Sequence, residues 1–399
     1  MQVTLANWRT APCNRWAFHH VRELVPSADI PHDPTRVRAL PRAEAALTLD
    51  PFLGETDTDG MAIVHRGRLV FERYAHGMTE EMAHILMSVS KSMLGVLAAE
   101  LRLDDERLAT DFIPELERTA YRGVTLRHLL DMRAGVVWDE DYLARSGPIV
   151  EYRKATGWNP LGPGEAPADL RSFCQTLKDG FPHGGPLHYV SPNSDLLGLI
   201  IERATGRRYA DLMSERVWKN AGAERSAYIT VDRLGAPRAA GGMCTTLRDL
   251  ARVGQWLLEE RAGFLAGLEQ GDSQAWAAGD MAKYYPGLRL RYRNQWYLLD
   301  ASKGANSPPL AFAMGIHGQN LFIDVVNRIV IAKFSSQATP LDLARMGLTM
   351  RAVAEMRKQL ARALAILDRP RRHFHRRSGK EARRRLGDAQ AALGEPRTL

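Results

Sequence analysis

Ser88 and Lys91, in the stretch Met87-Ser88-Val89-Ser90-Lys91-Ser92, stand three residues apart at the opening of a segment with an apolar face. On a helix, that spacing puts the hydroxyl and the amine on one side. A serine hydroxyl is a poor nucleophile until a neighbour takes its proton, and a lysine crowded by apolar side chains has its pKa lowered towards that task. The helix start adds backbone N–H groups and positive dipole at the same point. Ser followed three residues later by Lys also occurs on ordinary helix surfaces, so the pair alone leaves a purely structural role open.

Two further polar clusters carry possible chemistry. In Leu187-His188-Tyr189-Val190-Ser191-Pro192-Asn193, a breaker-rich loop before an apolar helix, Tyr189 could shuttle protons. A tyrosine's ordinary pKa of about 10 is too high for a base at neutral pH, so an adjacent cation such as Lys91 would have to hold it as phenolate. The alternative is a capping loop whose tyrosine packs on the core. In Ala313-Met314-Gly315-Ile316-His317-Gly318-Gln319, glycines interrupt a strand, often a sign that a ligand approaches the backbone closely. An N–H there could face an acyl oxygen; equally, the glycines could mark a bulge and His317 could be a satisfied core histidine.

The elements that must position these groups follow from periodicity. Ala62 to Tyr74 reads as a β-hairpin turning at Arg66-Gly67. Strand signals then give way to helical ones, after Ser88, over Leu126 to Met132, and over Leu196 to Ala204 and Tyr209 to Trp218. Alternation returns at Ala311 to Met314, Leu321 to Asp324 and Ile329 to Phe334, and a helix from about Leu341 to Leu367 ends the core. Strands at both ends with helices between imply one antiparallel sheet built from the two termini, α/β in the α+β sense, with the site at the junction. The expected domains are an extended segment over 1–60, a catalytic domain over 61–368 with a mainly helical insertion over about 76–230, and a tail over 369–399.

Composition narrows the class. The 399 residues are 45% apolar and 25% charged, which excludes disorder, collagen and a disulfide scaffold. Cys13, Cys174 and Cys244 are scattered and match neither paired bridges nor a C-x-x-C site, and no apolar run suits a signal peptide or membrane span, so a soluble cytoplasmic chain is expected. The net charge of +8 is carried entirely by Arg369 to Arg385, a basic tail expected to be solvated, with only weak non-specific affinity for nucleic acid.

The three clusters in this order resemble the serine β-lactamase-like family, which includes class C β-lactamases, DD-peptidases and related esterases. VTLRHLLDMRAGV (Val124 to Val136), LLGLIIERATGRRYADLMSERVW (Leu196 to Trp218) and GGMCTTLRDLARVGQWLLE (Gly241 to Glu259) look like the family too. NRWAFHHVRELVPSA (Asn14 to Ala28), MSVSKS, WDEDY (Trp138 to Tyr142) and GIHGQNLFID (Gly315 to Asp324) are similar to its 6-aminohexanoate-dimer hydrolase branch. The resemblance implies a β-lactamase/DD-peptidase-like fold and a serine hydrolase with Ser88 as acylated nucleophile, Lys91 as its activating partner and Tyr189 as second acid/base. It also implies an oxyanion hole from the amides of Ser88 and Ile316, and substrate contacts from Tyr142, Trp158, Ser191, Trp296 and His317. Two departures stand out. Ser191 occupies the third position of the family's Tyr-x-Asn motif, and Ala313-Met314-Gly315 replaces Lys-Thr-Gly, so the cation that would hold a β-lactam carboxylate is missing. Before Gly157-Trp158, where amide-hydrolysing relatives can place an acid suited to a substrate amine, stand Arg153 and Lys154.

The sequence therefore predicts a hydrolase of a small acyclic ester or amide that uses no metal or cofactor and binds no membrane, with a homodimer compatible. The rival enzyme is an amidase for 6-aminohexanoate oligomers. The rival from another class is a catalytically idle binding protein on the same scaffold.

Overall fold

The computed structural model describes residues 2–301 and 307–367. Two antiparallel sheets organise the body. The larger has seven strands in the order β3-β2-β11-β10-β9-β8-β7. Its strands are β2 (Thr58–His65), β3 (Arg68–Tyr74), β7 (Leu290–Arg293), β8 (Trp296–Leu299), β9 (Leu310–Gly315), β10 (Gln319–Asp324) and β11 (Ile329–Ser335). The first and last parts of the chain therefore meet in one sheet, β2 pairing with β11 over Ile329↔His65 to Phe334↔Gly60. The hairpin turn falls at Arg66-Gly67, as expected, with φ of 51° and 76°.

Side chains of the central strands alternate between two buried faces, as the two-residue strand period requires. Ala62, Val64, Leu321, Ile323, Val330 and Ala332 face a core shared with Leu250, Val253 and Trp256 of the Leu247–Glu260 helix. Met61, Ile63, Phe322, Ile329 and Ile331 face the other way, onto Val353, Met356 and Leu360 of the Leu343–Leu367 helix. Gly254 is needed for the first packing, because a Cβ there would lie 2.4 Å from Val330 Cγ1. Residues up to Leu360 form one compact unit, and the last turns of the Leu343–Leu367 helix, from Ala361, fall outside it. The basic stretch Arg369 to Arg385 lies outside the described residues.

The structure departs from the sequence reading in three places. A second sheet, order β1-β5-β6-β4, joins β1 (Ser27–Ile30), β4 (His84–Ile85), β5 (Ala227–Thr230) and β6 (Met243–Thr245), and two of these strands interrupt the stretch read as helical. With two to four residues each, they carry no period of their own and exist through long-range pairing. The hairpin β7–β8 was likewise unread. The N-terminal segment is more than an extended overlay, since β1 belongs to the small sheet and Trp8, Phe18, Val21 and Val25 bury a core with Ile85, Met87 and Trp158.

Candidate active site

The small sheet aims the nucleophile candidate. Leu86 N–H donates to Met243 O at 2.8 Å, tying the end of β4 to β6. Met87 then takes a left-handed φ of 46°, and the Val89–Leu101 helix begins with Ser88 as its N-cap. A non-glycine residue in that region costs about 1–3 kcal/mol and persists only where its surroundings over-determine it. From the large sheet, the end of β9 comes down on the same spot. A Cβ on Gly315 would stand 2.6 Å from Leu86 O and 3.0 Å from Ser88 N, so only glycine lets Ile316 and Ser88 line one cleft.

Around Ser88 the polar groups form a connected set. Lys91 Nζ lies 3.0 Å from Ser88 Oγ, 3.1 Å from Ser191 Oγ and 2.7 Å from Ala240 O. Ser191 Oγ donates in turn to Glu140 Oε1 at 2.6 Å, while Glu140 Oε2 accepts from Ser191 N–H at 3.0 Å and from Trp138 Nε1–H at 2.5 Å. Behind Ala240, Asp195 accepts from Ala240 N–H at 2.8 Å, from the Tyr152 hydroxyl at 2.5 Å and from Arg238. Tyr189 is fixed by its backbone, whose N–H donates to Asp280, and its ring centroid is 5.1 Å from Lys91 Nζ.

Burial sets the charges. Lys91 is pushed down to about 7 chiefly by desolvation, with Glu140 and Asp195 opposing and Arg238 assisting. Tyr189 moves up for the same reason; the Ser88 and Tyr297 hydroxyls work the other way and do not offset it. Burial thus works against Tyr189 standing as phenolate beside Lys91. Removal from water favours the uncharged form of both groups, so near neutrality a substantial share of Lys91 is amine and Tyr189 stays a phenol.

Of the residues named from sequence, Ser88, Lys91, Tyr189, Ser191, Tyr142, Trp158 and Ile316 come together here. Two do not. Trp296 is fully buried, donates from Nε1 to Ser92 O at 2.9 Å and packs edge-on against Phe264, and it does not line the cleft. His317 turns its Nδ1 to Gln337 O at 2.7 Å and its ring to Phe18, so it is the satisfied core histidine. Asn193 is buried and accepts from the Tyr121 hydroxyl. Lys154 pairs with Glu151 and Glu165, while Arg153 beside it turns to the cleft. Sequence reasoning missed Glu140, Arg9 and Arg238. Glu140 lies in the Trp-Asp-Glu-Asp-Tyr stretch already singled out, and its signal was present.

Two arms meet at Ser88, both lined by Glu140, Tyr142 and Ile316. One adds Arg9, Ile149, Tyr152, Arg153, Trp158 and Arg238. The other adds Tyr189, Met281, Tyr284, Tyr297, Met314 and Leu341. Among the described residues one group has metal-ligand geometry, His19, Asp59 and His84 with ligand atoms within 4.8 Å of one another, and it lines neither arm. No helix among the described residues is long and apolar enough to cross a membrane.

Comparison with known proteins agrees with this architecture. The chain is 34% identical over 362 residues to the 6-aminohexanoate-dimer hydrolase of Paenarthrobacter ureafaciens, covering 85% of this chain and 89% of that one. It is 25% identical over 291 residues to a beta-lactamase of Escherichia coli strain K12, covering 63% and 69%. A solved Bacillus anthracis structure described as a candidate 6-aminohexanoate-dimer hydrolase superposes with a TM-score of 0.80 at 28% identity, covering 90% of this chain and 98% of that one. The Beta-lactamase family model matches residues 46–355, and the chain therefore belongs to the β-lactamase family as a serine hydrolase.

Proposed function

We propose that the protein hydrolyses an acyclic ester or amide through an acyl-enzyme on Ser88. The observation that carries this reading is the position of Lys91 Nζ, 3.0 Å from Ser88 Oγ with its other contacts on Ser191 Oγ and Ala240 O. A neutral amine has two N–H donors and one lone pair. Ala240 O can only accept, and Ser191 Oγ has given its proton to Glu140, so it accepts too. Once Lys91 sheds its proton, its lone pair is free to accept from the Ser88 O–H across the same 3.0 Å contact in which the ammonium donates.

Lys91 then takes the Ser88 proton as Oγ bonds to the acyl carbon, and the amides of Ser88 and Ile316 hold the oxyanion. Tyr189 gives its hydroxyl proton to the leaving oxygen or nitrogen and regains one from the Lys91 ammonium. Water attacks the acyl-enzyme by the reverse proton path and restores Ser88. Tyr142 and Trp158 shape the walls, and Glu140 positions Ser191 and supports the charge on Lys91. Complete Ser88, Lys91 and Tyr189 argue against an idle scaffold. Arg153, a cation in the arm beside Ser88, argues against a 6-aminohexanoyl group with its terminal ammonium. A fluorophosphonate probe tests the reading: it should label Ser88 alone, mapped by peptide mass spectrometry, and labelling should be lost in Ser88→Ala. A protein that hydrolyses esters without being labelled there would refute it.

A further inference from the structure

The two arms can be assigned to the two ends of a substrate. Tyr189, the group proposed to protonate the leaving atom, lines only the arm of Met281, Tyr284 and Met314. The leaving group must therefore enter that arm, and the acyl chain must run into the other, towards Arg9, Arg153 and Arg238.

That second arm holds cations without counter-charge. Arg238 is committed to Asp195 and the Tyr152 hydroxyl. Arg153, with 8% of its surface exposed, bonds only backbone carbonyls, those of Tyr142 at 2.8 Å, Ala144 at 3.2 Å and Asp141 at 3.4 Å. Arg9 sits 5.6 Å and 5.7 Å from the Trp8 and Trp158 ring centroids; its side-chain hydrogen bond goes to Asn159 Oδ1 at 2.5 Å, and its Nε is shut off from solvent with no partner. Among the described residues neither Arg9 nor Arg153 has a carboxylate within ion-pair distance, and Glu140, the carboxylate in the arm's lining, is bound by Ser191 and Trp138. Arg9 is lowered to about 9 by burial, then by Arg153 and Arg238, which still leaves it cationic at neutral pH. Buried charge of one sign is unfavourable until an opposite charge joins it, and a guanidinium's planar fork matches a carboxylate. The arrangement also has a structural cause: Trp8 Nε1–H donates to Trp158 O at 3.0 Å, so the N-terminal segment is tied down where it delivers Arg9.

We propose that Arg9 and Arg153 form a carboxylate subsite for the far end of the acyl group, making the substrate a mono-ester or mono-amide of a dicarboxylic acid. This rests on the Ser88 and Tyr189 roles proposed above. It reverses the polarity that a terminal ammonium would require, and it predicts that the product is a free dicarboxylate.

The test uses the full chain and p-nitrophenyl monoesters of the four- to eight-carbon dicarboxylic acids, beside the same esters capped at the far end as methyl esters and beside p-nitrophenyl 6-aminohexanoate. A charge-assisted bond formed in a partly enclosed site should favour the free carboxylate over its methyl-capped form by about 10- to 100-fold in kcat/KM at the best chain length, with the ammonium ester poorest. In Arg153→Gln that ratio should fall towards one, and in Arg153→Asp the ammonium ester should overtake the carboxylate. Since Arg153 ties three backbone carbonyls, Arg9→Gln gives the same reading through a residue outside that loop. Adipate should inhibit hydrolysis of a short neutral ester more strongly than hexanoate, and the difference should shrink in either glutamine variant. If fluorophosphonate labels Ser88 but the wild type prefers the capped or the ammonium ester, the subsite is wrong and the Ser88 reading survives. If Ser88 is not labelled, both fall.

Discussion

The two arms of the cleft are built on opposite principles. The Tyr189 arm is walled by aromatic rings and thioethers continuous with the core around Phe312 and Tyr292, so it selects by shape and apolar area. The arginine arm borrows side chains from three distant places, residues 9, 153 and 238, and selects by charge. Specificity written in buried charge is steep, because a mismatched ligand leaves a desolvated ion unpaired, whereas one written in apolar contact changes by small increments per methylene. The acyl end of the substrate should accordingly be far more restricted than the leaving group. Each perturbation below separates the arms or removes what they share.

Ser88→Ala takes away the atom at which the arms join. Turnover of every ester, charged or neutral, should fall about 10⁴-fold or more, as when a nucleophile is removed from a concerted set. The fold should stay intact, because Ser88 makes no side-chain cap bond and alanine fits its αR backbone of φ −66° and ψ −7°. Steady-state rates together with circular dichroism check both halves.

Tyr189→Phe acts on one arm alone. The ring survives but the proton donor is lost, and such donors contribute about 10²–10⁴ in rate. An amine cannot leave unprotonated while p-nitrophenolate can, so kcat/KM, which reports acylation, should drop by that factor for an anilide or amide and by much less for a p-nitrophenyl ester. Equal losses in kcat/KM on both substrates would remove Tyr189 from the leaving-group side and with it the assignment of the arms.

A pH profile reads the group between them. With Lys91 held near 7, the amine is the active form, so kcat/KM should rise with pH up to about 7 and fall about tenfold per unit below it. Glu140 raises Lys91, and its removal in Glu140→Gln leaves the ammonium less supported. The acid limb should therefore move to lower pH. A limb that stays in place would mean that another group controls it.

How much of this was legible beforehand follows from distance along the chain. Ser88 with Lys91, and Tyr189 with Ser191, are local pairs whose helical or loop spacing already brings them to one side, and the 58–74 hairpin and the 310–335 strands announced themselves by alternation and a glycine turn. The arginine arm had no such signature, because residues 9, 153 and 238 meet only after the small sheet has formed from strands of two to four residues. The β7–β8 hairpin did carry a signal that went unread. Its turn residues Asn294 and Gln295 both have positive φ, 51° and 64°, which Asn tolerates. For Lys154 and Arg153, adjacency concealed opposite directions, one to surface acids and one to the cleft.

Trp296 shows the same limit for aromatic residues and gives the smallest predicted effect. Its type suits a pocket wall as well as a core, and only the structure places it against the Val89–Leu101 helix with its Nε1–H on Ser92 O. Trp296→Phe removes a buried donor and part of a filled volume, so it should lower stability by about 1–3 kcal/mol, a fall of a few degrees in Tm. The preference among acyl chains should not change, since Trp296 lines neither arm. If calorimetry instead found Tm unmoved while KM for the longer dicarboxylate monoesters shifted, the indole would be reaching substrate. The arginine arm would then extend beneath the helix, and its selectivity would rest on shape as well as charge.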